Sequence, residues 1–260
     1  MTLLDHQART RAGLDVQTAV LGGDQPPAST PVQESWRDFV FAEVWSRPGL
    51  DRRSRIWITL AGAACMRESA ERLSAYMIGA LKLGEVTLSE LREAALHMAV
   101  YGGWTVGTAF DEAATRAAEA LGLPPVASPP IRGAPWDPAK RQEEGSAGFA
   151  EVMTFPAPPP AAPYLECGVL NFVFGEMWMR PGLDQRSRRW LTLVGVAESC
   201  AEVPIQSHVH AAMNSGDATS AEMHEFVLQY SVHAGWPKGS VMLAAVSKQA
   251  PRVAAGQPYH

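Results

Sequence analysis

The sequence predicts an all-α protein, and three observations carry that reading. The 260-residue chain is rich in alanine, a strong helix former. No run alternates apolar and polar residues as a strand would. A long stretch also occurs twice: FVFAEVWSRPGLDRRSR returns as FVFGEMWMRPGLDQRSR, displaced by 133 residues.

The two copies can be followed outward from RPGLD. Phe39–Trp45 matches Phe172–Trp178, and Trp57 with Thr59-Leu60 matches Trp190 with Thr192-Leu193. WITLAGAACM and WLTLVGVAES are apolar on most sides, as in buried helices. Beyond them the displacement drops to 132, so one residue has been gained or lost between about 65 and 84. Thr87 with Glu90 and Thr219 with Glu222 form capping boxes, each opening a helix. Gly102-Gly103 and Gly235-Trp236-Pro237 end these helices, and further helices are expected at 105–121 and 238–249.

Residues 123–163 hold eleven of the 20 prolines. Proline lacks an amide donor and fixes φ, so this stretch is expected to be extended rather than helical. The expected organisation is a first repeat over 1–122 with an N-terminal arm, a linker over 123–147, and a second repeat over 148–260.

Composition excludes several functions. A net charge of −5 with no basic stripe argues against nucleic acid. No apolar run reaches the length of a membrane span. Cys65, Cys167 and Cys200 form no CxxC pair and no zinc-like spacing, so no metal is expected. Sparse cysteines fit a reducing cytoplasm. The opening MTLLDHQARTRAGL is too polar for a signal peptide.

RAGLDVQTAVLGG, the two RPGLD segments, HVHAAMNSG, the capping-box helices, YGGW and HAGW together resemble the carboxymuconolactone decarboxylase family. Its fold is shared with alkylhydroperoxidase D. The resemblance covers all but the linker and the ends. It implies an all-helical fold, no metal and no organic cofactor. It also implies two branches of activity. One removes CO₂ from γ-carboxymuconolactone. The other is a peroxidase using Cys-x-x-Cys with a histidine four residues beyond the second cysteine. Single-repeat members form rings of six, so two fused repeats imply a homotrimer closing a six-repeat ring.

The peroxidase branch lacks its thiols here. Its cysteine positions fall on Ala201 and Pro204 in the second copy, and on Ser69 and Arg72 in the first. Cys65 and Cys200 read as small core residues. The decarboxylase branch points to the second copy. His208 matches the family histidine and is the candidate acid/base. Glu202 approximates the accompanying glutamate. Arg186 and Arg188 are candidate anion binders, although Arg53 and Arg55 repeat them in the first copy, which equally suits a structural role. His210, two residues beyond His208, reads as surface or interface.

The first copy carries Tyr76 at the histidine position, with Glu68, Ser69 and Arg72 around it, and reads as a scaffold or a modified site. His97 and Tyr101 share a helix face where the second copy has Gln229 and His233. That exchange is either drift or a chemical difference between two pockets that sets His233 beside His208. Trp178 and Trp236, with Trp45 and Trp104, are core or pocket wall and favour a flat, partly apolar substrate. Three functions remain open. The first is cofactor-free decarboxylation of a small cyclic carboxylate or lactone. The second is a related lyase, isomerase or cyclase reaction on an aromatic or polyketide-like molecule. The third is a non-catalytic scaffold.

Overall fold

The computed structural model describes residues 5–260 except 132, 134 and 136. The first four residues of the N-terminal segment discussed above, and those three linker positions, lie outside the described residues. Everything regular among the described residues is helix, as expected. The first half runs α1 (His6–Val20), α2 (Pro31–Ser35), a π-helix (Trp36–Val44), α3 (Arg52–Cys65), α4 (Ala70–Lys82), α5 (Leu88–Gly102) and α6 (Trp104–Ala120). The second runs α7 (Pro138–Met153), a π-helix (Tyr164–Met177), α8 (Gln185–Ser199), α9 (Glu202–Asn214), α10 (Ser220–Ala234) and α11 (Trp236–Ala254). Both capping boxes form. No helix is long and apolar enough to cross a membrane.

The proline-rich stretch is not extended throughout. Helix α7 lies inside it, and the boundary expected at 147/148 falls within that helix. Pro138 sits in its first turn, where a missing amide costs nothing, and Asp137 caps it by accepting from the amides of Ala139 and Lys140. This helix answers to α1. A Cβ on Gly13 would lie 2.3 Å from the Arg37 carbonyl oxygen, and one on Gly145 would lie 1.8 Å from that of Leu170. Each helix therefore presses a glycine onto the π-helix that follows it.

The duplicated RPGLD has a mechanical explanation. Its aspartates, Asp51 and Asp184, cap α3 and α8 by accepting from the amides of Ser54 and Ser187. Its arginines grip carboxylates from the other half. Arg180 donates to both oxygens of Glu93 on α5, at 2.9 and 2.6 Å. Arg47 does the same for Glu225 on α10, at 2.9 and 2.6 Å. A second arginine joins each clamp: Arg55 lies 3.0 Å from Glu225 and Arg188 3.6 Å from Glu93. The motif glycine makes room, since a Cβ on Gly49 would sit 2.8 Å from the Glu225 Cγ.

The halves consequently exchange a helix. Helix α5 packs on α8, α10 packs on α3, and α3 lies along α8. Cross-bonds Arg53–Asp184 and Arg186–Asp51, both 3.0 Å, join the start of α3 to the start of α8. One apolar core runs through both halves and includes Trp57, Phe110, Trp190 and Phe226.

Removing one partner of a buried ion cluster strands the others. Glu93→Ala is expected to cost about 3–5 kcal/mol, read as a lowered urea midpoint. A loss under about 1 kcal/mol, the range of an exposed pair, would show that the clamp does not hold the halves together.

Candidate functional site

Because the helices are exchanged, each prospective site draws on both halves. Near the first, Tyr76 of α4 meets His233 of α10, with ring centroids 6.0 Å apart, and Trp36 contacts the same imidazole at 5.8 Å. Near the second, His208 of α9 meets Tyr101 of α5 at 5.6 Å. Each place thus pairs a tyrosine with a histidine from the other half, with the donating helices interchanged, and the second also holds His97. His233 lies against Tyr76, not beside His208 as the sequence reading had it.

The second place is closed. His97, His208 and Trp178 are buried. His97 Nε2 lies 2.7 Å from the Thr192 hydroxyl, and the Trp178 indole N–H donates to the Tyr101 hydroxyl at 2.9 Å. Burial, helped by the nearby Arg189 charge, pushes the His208 imidazole down to about 3. It is neutral at working pH and enclosed. Phe149 of α7 packs on Phe174 and Phe155, and Phe155 packs on Tyr259, extending this apolar wall.

Trp36, which touches the His233 imidazole, also walls a cavity of about 280 Å³ between α1, α2, the first π-helix and the start of α4, whose lining includes neither Tyr76 nor His233. Leu14, Gln17, Val32, Trp36, Glu68 and Arg72 are among its walls. Every polar one of these lacks a polar counterpart across the duplication. Gln17 answers to Phe149, and Arg72 to Pro204. Glu68 answers to nothing. Arg67 and Cys200 both close their turns in the left-handed region, at φ 55° and 53°. Both donate their amides three residues back, to Ala64 and Ala197. The next positions to correspond are Ser69 and Ala201, immediately before α4 and α9. Glu68 is therefore the additional residue behind the change in displacement from 133 to 132.

Glu68 is half-buried, and desolvation raises its carboxyl pKa, with the Arg72 charge opposing in part. Tyr76, buried nearby, feels both Glu68 and Arg72, and its burial raises the phenol. Close packing pushes His233 down to about 4, although part of the side chain reaches solvent.

The other sequence candidates fall elsewhere. Glu202 is exposed in the first turn of α9, 3.9 Å from Lys248. Arg186 is engaged by Glu222 and Asp51, and buried Arg188 donates to the Arg180 and Leu183 carbonyls. Both are structural. Trp178 is buried, while Trp236 is exposed with its edge toward Phe39 at 6.2 Å. His210 is buried, 3.3 Å from Gln249, and not at the surface. Cys65 is half-buried with its thiol pushed up to about 12, whereas Cys200 is exposed rather than core. In the sequence Glu68 stands out only as a neighbour of Tyr76, and the shift of register that it accounts for is placed no more closely than about 65–84.

Comparison with known proteins bears on this geometry. A model described as the carboxymuconolactone decarboxylase family matches residues 30–120. A 4-carboxymuconolactone decarboxylase of Acinetobacter baylyi is 30% identical over 130 residues, covering 47% of this chain and 96% of that protein. The chain belongs to the carboxymuconolactone decarboxylase family. A nitrosuccinic acid decarboxylase of Metarhizium robertsii is 36% identical over 106 residues, 38% of this chain and 73% of that protein. The family match includes Trp36, Glu68, Arg72 and Tyr76.

The histidines give a pH prediction. Unfolded, they take up protons near pH 6.5. Folded, His208 does so near 3, His233 near 4, and His97 well below its ordinary value. Their contribution is present above pH 6.5 and lost as pH falls toward these folded values. Urea midpoints should drop between pH 7 and 5, before most carboxylates titrate. Equal midpoints at the two pH values would show that these imidazoles titrate normally.

Proposed function

We propose that the protein is a decarboxylase-type enzyme acting on a small carboxylic acid, and that the reaction takes place in the first-half cavity. The observation that carries this is a cavity of about 280 Å³ bearing an arginine and a carboxyl against an indole wall, in a chain of this family. Losing CO₂ leaves an electron pair on carbon. A site must hold the acid, stabilise negative charge as it moves onto a neighbouring acceptor, and return a proton. Arg72, exposed at the cavity wall, supplies a cation for that charge. Leu14, Val32 and Trp36 give the cavity apolar walls against which the carbon skeleton of an acid can lie. These walls suit a lactone-sized or similarly compact acid, reacting by acid/base chemistry without a cofactor. Both relatives are named for the loss of a carboxyl group from a small acid.

The sealed half supports the same choice. It presents Phe149 and Pro204 where the open half presents Gln17 and Arg72. It reads as scaffold, with His233 of α10 packed against Trp36 and Tyr76 behind the cavity.

Purified protein should release CO₂ from 4-carboxymuconolactone or from nitrosuccinic acid, measured with each separately. Gln17→Phe copies the sealed half and should lower turnover by about 10²-fold or more, the scale of a misplaced substrate. Full activity in that variant would put the reaction elsewhere.

A further inference from the structure

We propose that Glu68 is the catalytic acid of this cavity: it protonates a carbon of the conjugated anion left when CO₂ departs, while Arg72 holds the oxygen that receives the electrons. This inference rests on the decarboxylase reading and adds the residue that performs its proton step.

Two observations single out Glu68. The first is its setting. Other part-buried acids of the chain are committed: Asp38 to Arg37, Glu93 to Arg180, Glu225 to Arg47 and Arg55, Glu198 to Lys238 and Tyr230. Glu68 is influenced only by burial and by the charge of Arg72, with no hydrogen bond to its carboxyl. Among the described residues it is the acid that lines the cavity. The second is its origin. It is the one additional residue between the paired positions Arg67/Cys200 and Ser69/Ala201, and it is present in the half that has the cavity. Desolvation favours its protonated form, as a proton donor requires.

The step balances without a co-reactant. The bond between the carboxylate carbon and its neighbour breaks, and CO₂ departs. Its electron pair moves to a conjugated acceptor, such as a lactone carbonyl or nitro group, whose oxygen faces Arg72. The Glu68 O–H bond then breaks as a C–H bond forms, and solvent reprotonates Glu68. The substrate class follows: small acids whose carboxylate lies next to an oxygen-bearing electron acceptor.

The test uses the full chain with 4-carboxymuconolactone and nitrosuccinic acid as probes, comparing wild type, Glu68→Gln, Glu68→Asp and a variant lacking residue 68. A donor must be protonated, so wild-type kcat should fall as pH rises through a pKa above the ordinary glutamate range. Glu68→Gln should lower kcat by about 10²–10⁴-fold, leave KM within a few-fold and abolish that pH limb. Glu68→Asp should keep the limb and part of the rate. The deletion variant restores the other half's spacing between these paired positions, so it should fold, judged by thermal melting, and be inactive. A Gln or deletion variant with wild-type kcat and pH limb would overturn the assignment while leaving the decarboxylase reading intact. A folded wild type releasing no CO₂ from either acid would overturn both.

Discussion

Two buried carboxylates, Glu93 and Glu225, determine how this chain is put together. Each sits on a helix from one half and is gripped by two arginines of the other. Ions taken out of water are stable only when paired in good geometry. Both clamps are bidentate, which fixes direction as well as distance. The result is that α5 and α10 are exchanged, and neither half holds a complete site. Tyr76 must find its histidine on α10, and His208 must find its tyrosine on α5.

That constraint explains why some features were legible in the sequence and others were not. The helices announced themselves through capping boxes and glycine stops, because these signals are local. RPGLD was conspicuous, but its purpose depends on a glutamate 87 residues away from Arg180, and no local pattern records that pairing. Arg186 and Arg188 looked available for substrate because their partners, Asp51, Glu222 and Glu93, are likewise distant in the chain. Helix α7 was hidden by its proline-rich surroundings, although Asp137-Pro138 is itself a start signal. The exchange of histidine and tyrosine was seen as a pattern. Assigning both histidines to one pocket assumed that each repeat folds on itself.

The same constraint makes asymmetry affordable. With both halves locked around one core, one can lose its polar cavity residues without loss of fold. The second half has packed phenylalanine where the first keeps glutamine, and proline where the first keeps Arg72. Its histidine is retained but enclosed, and burial keeps it neutral. The first half carries one more residue than the second between the paired positions Arg67/Cys200 and Ser69/Ala201, and that residue lines the cavity. A histidine matching the family pattern marks descent, whereas the proposed site follows access and charge, which lie in the other half.

The account depends on where substrate sits. A crystal structure with a bound analogue, an acid of the same shape whose carboxylate cannot leave, tests this most directly. The account predicts one molecule per chain, in the first-half cavity, within hydrogen-bond distance of Arg72 and Glu68. The analogue seated beside His208, with the Phe149 and Phe155 rings displaced, would contradict it.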